Sequence, residues 1–327
     1  MDPVARYLEV FDDLQRRKRW STGTNFLRFA ALTLAASDAP EVGAELESTA
    51  KVLADEAGGF SPLASAIRHS VAALLLRRGL DPVRIVHRVK ETLDLFKRHR
   101  LKKGGLHPVL AALLLVLDAD GETPSEATVA RMRAILDRWN QDHFFLTGVD
   151  DYPMAAMHAT RDLSVEHLAV EVEQIYQQLA KAGFSKGEQL QLVSHLLMFS
   201  DAGPREAAIR FERVAEALRQ AKHKVRESHY DEVALLVLAG GHVDEVVPRV
   251  LEYRDRLRAA KPRPTAELAF SIAAGMVLAE EARRVETAAD VTDVSTLRSV
   301  QAMIAAQQAA VVACMAATTA ATAAATS

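Results

Sequence analysis

The stretch LAALLL at residues 110–115 is the clearest member of a pattern that recurs along most of the chain. It is a small apolar segment rich in Ala and Leu, and each such segment precedes a turn and an amphipathic segment that ends in Lys or Arg. Equivalent apolar segments lie at residues 30–36, 71–76, 155–157, 194–198, 233–238 and 272–277. The period is about forty residues, which is typical of helix-pair solenoids. We therefore expect an all-α fold of about seven tandem helix-pair repeats, arranged as an α-solenoid or a compact toroid.

The charged segments between the apolar ones have the periodicity of amphipathic helices. In residues 83–89, for example, apolar side chains recur at i, i+3 and i+6 and line one face. Pro and Gly lie between the helical segments, where they end one helix and begin the next. We expect residues 1–284 to form one continuous α-helical domain, with a boundary near Asp120 as the alternative. Residues 285–327 are expected to form an Ala/Thr-rich helical extension whose end is disordered.

Composition and net charge narrow the class of protein. The chain has 327 residues, of which 49% are hydrophobic and 25% charged, as in an ordinary soluble protein with a sizeable core. Its net charge of −3 argues against a dedicated nucleic-acid binder, which normally carries a basic excess. The apolar stretches are shorter than the ~20 residues that cross a bilayer, so no membrane partner is expected. The single cysteine, Cys314, forms no internal disulfide and the N-terminus lacks a secretory pattern, so we expect a cytoplasmic protein.

The sequence predicts neither a cofactor nor a bound metal. It contains no Walker loop, dinucleotide-binding fingerprint or nucleophile elbow. Its eleven histidines form no His-x-x-x-His pair beside an acid, and there is no Cys-x-x-Cys motif. His195 lies inside an apolar stretch, which is more typical of a core histidine than of a metal ligand.

A basic loop at residues 97–108, KRHRLKKGGLHP, is the first candidate binding element. Lys and Arg near a helix C-terminus usually stabilise the helix dipole by about 0.3–1 kcal/mol each, which is the ordinary interpretation of the chain's other basic clusters. This loop contains more than stabilisation of the helix dipole requires, because it adds two lysines, two glycines and a histidine. Gly-rich backbone at a helix N-terminus, surrounded by cations, suits a sulfate, phosphate or carboxylate. We therefore expect Arg100, Lys102, Lys103 and His107 to hold an anion.

An acidic and aromatic loop follows one unit later, at residues 143–153, HFFLTGVDDYP. Asp150 and Asp151 can serve as N-caps of the next helix, which is the structural alternative. Both cannot cap the same amide, so one of them is available to bind an amine or to act as a base. Because successive units stack in register, we expect the basic and acidic loops to be neighbours, with Tyr152 lining the wall between them. Such a site suits a small zwitterion.

The same loops carry a family resemblance. The strings KKGGLHP at residues 102–108, LTGVDDYP at 146–153 and AGFSKG at 182–187 resemble a bacterial all-helical family of unassigned function, known from bacilli and actinobacteria. The likeness covers most of residues 1–284, implies a helical fold and brings no catalytic residues with it. The opposed charges of the two loops, without any shared motif, also resemble the helical ring-closing enzymes of aziridine-containing natural products, which displace a sulfate with an internal amine.

Two functions follow as hypotheses. The first is an enzyme of bacterial secondary metabolism that acts on a small charged metabolite without a cofactor, by elimination or by intramolecular displacement of an anionic group. Asp150, Asp151 and His107 are then the catalytic candidates, and Arg100, Lys102, Lys103 and Tyr152 bind substrate. The second is a non-catalytic scaffold whose concave face binds a protein partner, with a homodimer as one form of partnership.

Overall fold

The computed structural model describes residues 2–17, 24–35, 42–59, 61–65, 67–142, 148–200 and 202–288. Regular structure in these ranges is entirely helical, which confirms the predicted all-α class. The α-helices are α1 (Pro3–Arg17), α2 (Thr24–Leu34), α3 (Val42–Ala57), α4 (Arg68–Arg78), α5 (Pro82–Arg98), α6 (Leu106–Asp118), α7 (Glu126–Asp142), α8 (Tyr152–Ala159), α9 (Val165–Lys181), α10 (Glu188–Leu197), α11 (Pro204–Gln220), α12 (Tyr230–Ala239), α13 (Val243–Ala259) and α14 (Ala266–Ala288). The extension predicted for residues 285–327 lies outside the described residues from residue 289 onward, and so does Cys314.

The described chain divides into two compact units. Residues up to Val165 form the first unit, and residues from Glu166 onward form the second. Asp120 and Gly121, the alternative boundary, form a turn with positive φ after α6, inside the first unit. The single domain expected over residues 1–284 stays a prediction.

In the first unit, apolar helices alternate with amphipathic ones. α6 is buried on nearly all sides, from Pro108 to Leu117, as expected for a helix that is apolar all round. α5 instead buries one stripe, which includes Ile85, Val89 and Phe96. α2 packs against α1 and α4, and α6 packs against α5 and α8. The short apolar stretches of the sequence therefore form the most buried helices.

The second unit has the same alternation. α12 is buried almost throughout and packs against α10, α11 and α14, while α13 packs against α11 and α14. His195 lies in α10 and is 2% exposed. At the α13–α14 contact, the Tyr253 hydroxyl donates to the Glu280 carboxylate at 3.0 Å. Burial, together with this carboxylate, raises the pKa of Tyr253 to about 12.

Three amphipathic helices end in the same way. After α5, α9 and α11, a residue with positive φ reverses the chain: Arg100 (φ 58°), Gly183 (φ 91°) and Lys222 (φ 61°). The N–H of the following residue then donates to a carbonyl five residues back, as from Leu101 to Phe96 at 2.8 Å. This is the Schellman ending, which usually takes glycine because a side chain in the left-handed region costs about 1–2 kcal/mol. Arg100 and Lys222, two basic residues, therefore serve to terminate their helices.

No helix in the described part of the chain is long and apolar enough to span a membrane. Within each unit, several helices contact a sequence neighbour or a helix two positions away, such as α1 with α2 and α3 and α12 with α11 and α14. The solenoid or toroid of tandem repeats stays a prediction.

Candidate functional site

The first unit brings the basic loop and the acidic turn together at two points. His107, in the first turn of α6, has its Nδ1 2.8 Å from Oδ1 of Asp150. The backbone N–H of Lys102 donates to the hydroxyl of Tyr152 at 3.1 Å. Asp150 belongs to a short 3-10 helix, Val149–Asp151, that leads directly into α8. α6 and α8 pack against each other, so their N-terminal turns present the two loops side by side.

The His107–Asp150 pair has the geometry of an oriented acid–base group. A carboxylate at Nδ1 accepts a hydrogen bond from the Nδ1–H group and leaves the lone pair of the neutral imidazole on Nε2. The side chain of His107 is 25% exposed and that of Asp150 80% exposed. His107 makes no other hydrogen bond or ion pair with the described part of the chain. Its Nε2 is therefore available to take a proton from a bound molecule.

The two adjacent aspartates have different partners. Oδ2 of Asp151 accepts the backbone N–H of Gly148 at 2.7 Å, which closes the turn before α8. Asp150 reaches His107 instead. Asp151 is the N-cap residue of α8, but its side chain makes no capping hydrogen bond to that helix and instead closes the preceding turn. The predicted chemical role of Asp150 stays a prediction.

The cations of the basic loop also differ in their surroundings. Nζ of Lys103 lies 3.4 Å from Oδ1 of Asp94, in a solvent-exposed ion pair. The backbone carbonyl of Arg100 accepts a hydrogen bond from Nη1 of Arg133 at 3.0 Å. Lys102 is exposed, and its ammonium has no ion pair with the residues that the structure describes. Lys102 and Arg100, whose guanidinium is likewise exposed and has no ion pair among the described residues, are therefore the cations most readily available to an anion.

Gly105 shapes the entry into α6. Its φ is +93°, a conformation that side-chain-bearing residues rarely adopt. The exposed pair Gly104–Gly105 therefore precedes α6 without a side chain over the first turn. The free N–H groups at the start of α6 favour negative charge at this point.

Tyr152 is a structural anchor as well as a neighbour of the site. It is 8% exposed, and its ring packs edge-to-face on Phe96 at 6.4 Å between centroids. The second unit repeats the arrangement, because the N–H of Ser185 donates to the hydroxyl of Tyr230 at 3.2 Å. In both cases the donor lies two residues after the left-handed residue that ends a helix. The predicted role of Tyr152 in substrate binding stays a prediction.

Sequence reasoning missed Asp94 and Arg133. Asp94 is on the exposed face of α5 and Arg133 is on α7, and neither belongs to a recognisable motif. The Arg133–Asp137 spacing of i, i+4 signals a surface ion pair, and the hydrogen bond that Arg133 donates to Asp137 raises the pKa of Arg133. Nothing in the sequence indicates that Arg133 reaches the carbonyl of Arg100. The aromatic part of the acidic loop, residues 143–147, lies outside the described residues.

The described residues place no group of three His, Cys, Asp or Glu side chains where they could hold a metal ion. Residues 10–309 match the model of a family described as a protein of unknown function (DUF4003). Uncharacterized protein YeaA of Bacillus subtilis (strain 168) is 23% identical over 288 residues, which cover 85% of this chain and 84% of that protein. No solved structure matches the chain. The predicted resemblance to bacterial proteins without an assigned function is thereby confirmed, whereas no likeness to aziridine-forming enzymes is shown.

Proposed function

The chain belongs to the bacterial family of proteins of unknown function DUF4003, and from that premise we propose that it is an enzyme acting on a small charged metabolite where the two loops meet. The observation that carries this proposal is the 2.8 Å contact between His107 and Asp150. An imidazole held by a carboxylate is oriented for proton transfer. The surrounding charges provide the means to bind a substrate.

A zwitterionic substrate fits the arrangement of charges. Lys102 and the exposed N-terminus of α6 attract the anionic group, because both concentrate positive charge. Asp150 is largely exposed and attracts the cationic group. Lys103 and Arg100 strengthen the positive field at the edge of the site, although Lys103 is shared with Asp94.

The reaction class that we propose is intramolecular displacement of an anionic leaving group, such as sulfate, by an amine. The amine nitrogen forms a bond to carbon while the carbon–oxygen bond breaks, and the sulfate leaves with the electron pair. Nε2 of His107 takes the proton that the amine loses, and Lys102 stabilises the departing anion. The reaction is redox-neutral and needs no co-reactant. This step rests on the charge complementarity of the two loops.

Tandem stacking of helix pairs is part of the proposal. The contacts between helices two positions apart in each unit support it, as does the recurrence of the tyrosine anchor at Tyr152 and Tyr230. A cytoplasmic location and a place in secondary metabolism stay predictions from the sequence.

The scaffold hypothesis remains the alternative. Among the described residues, Val170 is the exposed large hydrophobic side chain, at 50% exposure. Isolated apolar side chains of this kind are ordinary on protein surfaces. No specific contact therefore favours a protein partner over a small ligand.

The test is a thermal-shift screen of the purified chain against small amino acids and their O-sulfated and O-phosphorylated derivatives. A ligand at a hundredfold its Kd stabilises the folded state by about 2.7 kcal/mol, which is a measurable rise in Tm. We expect Lys102→Ala and Asp150→Asn to weaken binding at least tenfold. His107→Gln is expected to keep binding and to lower turnover of a reacting ligand by about 100-fold or more.

Two control variants match these changes elsewhere in the chain. His167→Gln removes a surface histidine whose Nε2 lies 3.1 Å from Oε1 of Glu171, and Lys186→Ala removes an exposed loop lysine. Both should bind within twofold of the wild type. A panel without any shift, or loop variants that bind like the controls, would contradict the proposed function.

A further inference from the structure

Two histidines of the second unit lie against the same phenylalanine. His223 follows the end of α11, and its ring stacks on Phe270 of α14 at 4.3 Å between centroids. His229, which is 5% exposed, lies 5.3 Å from His223 and 5.5 Å from Phe270. Nothing in the proposed function uses this cluster, which belongs to a different unit from the His107 site.

The hydrogen bond to Arg254 fixes the tautomer of His223. Nη1 of Arg254, on α13, lies 2.8 Å from Nδ1 of His223. A guanidinium only donates, so Nδ1 must be the acceptor and the proton of the neutral ring lies on Nε2. That Nε2 is buried and meets no hydrogen-bond partner among the described residues. The cluster therefore contains a buried N–H donor that lacks an acceptor, which is an energetic cost that an acceptor would remove.

The charged groups around this donor are mainly basic. Lys222 and Lys224 flank His223 on an exposed loop. Arg254 is 19% exposed and pairs with Asp255 at 2.7 Å, and Arg226 pairs with Glu267 of α14 at 3.4 Å. Three carboxylates, those of Asp255, Glu267 and Asp231, thus accompany two arginines and two lysines. In the short turn before α12, the ring Nδ1 of His229 lies 3.1 Å from the carbonyl oxygen of Lys224.

These neighbours also keep the imidazoles neutral. Burial, His229 and Arg254 lower the pKa of His223 to about 4, and burial lowers that of His229. A neutral ring whose proton lies on Nε2 offers a metal ion no lone pair, since Nδ1 is occupied by Arg254. The chemistry of the cluster favours a ligand that accepts hydrogen bonds and carries negative charge.

We propose that His223 and Arg254 form a binding site for a small tetrahedral oxyanion, such as a phosphate or sulfate group. One oxygen accepts the Nε2–H of His223, and the guanidinium of Arg254 and the ammonium groups of Lys222 and Lys224 compensate its charge. Protein atoms cover Nε2, so the anion has to displace some of them to reach it. This site is independent of the loops in the first unit.

The test is a titration of the full chain, labelled with 15N at histidine, with inorganic phosphate at pH 7 and constant ionic strength, observed by NMR. The signal missing in His223→Phe identifies His223, and phenylalanine keeps the stack on Phe270. We expect the Nε2 signal of His223 to shift saturably and its pKa to rise by at least one unit with phosphate bound, because the anion stabilises the imidazolium. Acetate is expected to shift the signal at least tenfold more weakly, whereas an equal response to acetate would overturn the tetrahedral class.

Variants supply a second measurement. Arg254→Gln should weaken the phosphate response of His223 at least tenfold, while Arg256→Gln, which removes an arginine paired with Glu252 on the same helix, should leave it within twofold. Lys102→Ala should also leave it unchanged, which separates this site from the proposed active site. A His223 signal that is unaffected by phosphate, or that responds equally in Arg254→Gln, would overturn the inference.

Discussion

Glu232 shows how strongly one residue depends on its surroundings. It lies in the first turn of α12, is 4% exposed, and accepts a hydrogen bond from the hydroxyl of Ser271 on α14. Burial and the neighbouring Asp231 raise its pKa well above the ordinary value of 4.5. The folded protein therefore holds this side chain as a neutral acid where the unfolded chain would ionise it.

This difference predicts a pH-dependent stability. Between the ordinary pKa and the raised one, the folded state binds more protons than the unfolded state, so the free energy of unfolding falls as pH rises. Glu232→Gln keeps the shape without the ionisation and should flatten that slope. Urea denaturation from pH 5 to pH 8 measures it, with the exposed Glu245→Gln as the control that keeps the wild-type slope. Parallel slopes in the wild type and Glu232→Gln would show that Glu232 is not the group responsible.

Adjacent residues of the same type show what the sequence alone does not predict. Asp150 and Asp151 are identical in type and adjacent, yet one contacts His107 and the other closes its own turn. The charge pattern identifies both as candidates, but the choice between them depends on how α6 and α8 pack. Likewise, Lys102 and Lys103 are equivalent in the sequence, and only the position of Asp94 distinguishes them.

At the scale of elements, the helices follow from apolar periodicity and their ends from local chemistry. The buried segment of α6 is readable directly as an Ala/Leu stretch, because a helix that is apolar all round belongs in the core. The left-handed endings at Arg100 and Lys222 are not readable, because glycine is the usual signal and here a basic residue takes its place. The sequence analysis placed basic clusters at helix ends because of their charge. At Arg100 and Lys222 the structure shows a second role, since the backbone of these residues is left-handed.

The tyrosine anchors predict a matched pair of variants. Tyr152→Phe and Tyr230→Phe each remove a hydroxyl that accepts one backbone N–H, from Lys102 and Ser185 respectively. Each change should lower the free energy of unfolding by about 1 kcal/mol, since the part-buried N–H loses its acceptor. Tyr152→Phe should also weaken ligand binding in the first unit, whereas Tyr230→Phe should not. Denaturation curves and the thermal-shift screen measure both effects, and equal losses of binding in the two variants would refute a local role for Tyr152.

At the scale of the whole molecule, burial predicts a pattern of amide protection. α4, α6, α8 and α12 are buried on nearly all sides, while α5, α11 and α13 bury one stripe. Local unfolding of a helix that buries one stripe exposes less apolar surface than local unfolding of a helix buried on nearly all sides. It therefore costs less free energy.

Hydrogen exchange measured by mass spectrometry checks this expectation. Peptides from α6 and α12 should exchange at least tenfold more slowly than those from α5 and α13. If each unit is built of tandem helix pairs, protection within a unit should also decline towards its terminal helices, because terminal members of an array have one neighbour. Uniform protection across all helices would contradict the first expectation, and equal protection of central and terminal helices would contradict the tandem arrangement.

The anchor at Tyr152 has a consequence for how such a chain changes over generations. Its hydroxyl binds the main chain of Lys102, so the bond makes no demand on which side chain stands at that position. The corresponding position in the second unit is a serine, held by the same kind of bond. A mutation can therefore reverse the charge of the loop without releasing its backbone. The fold therefore tolerates different side chains in this loop. Selection can change the ligand that the loop binds while the fold stays the same.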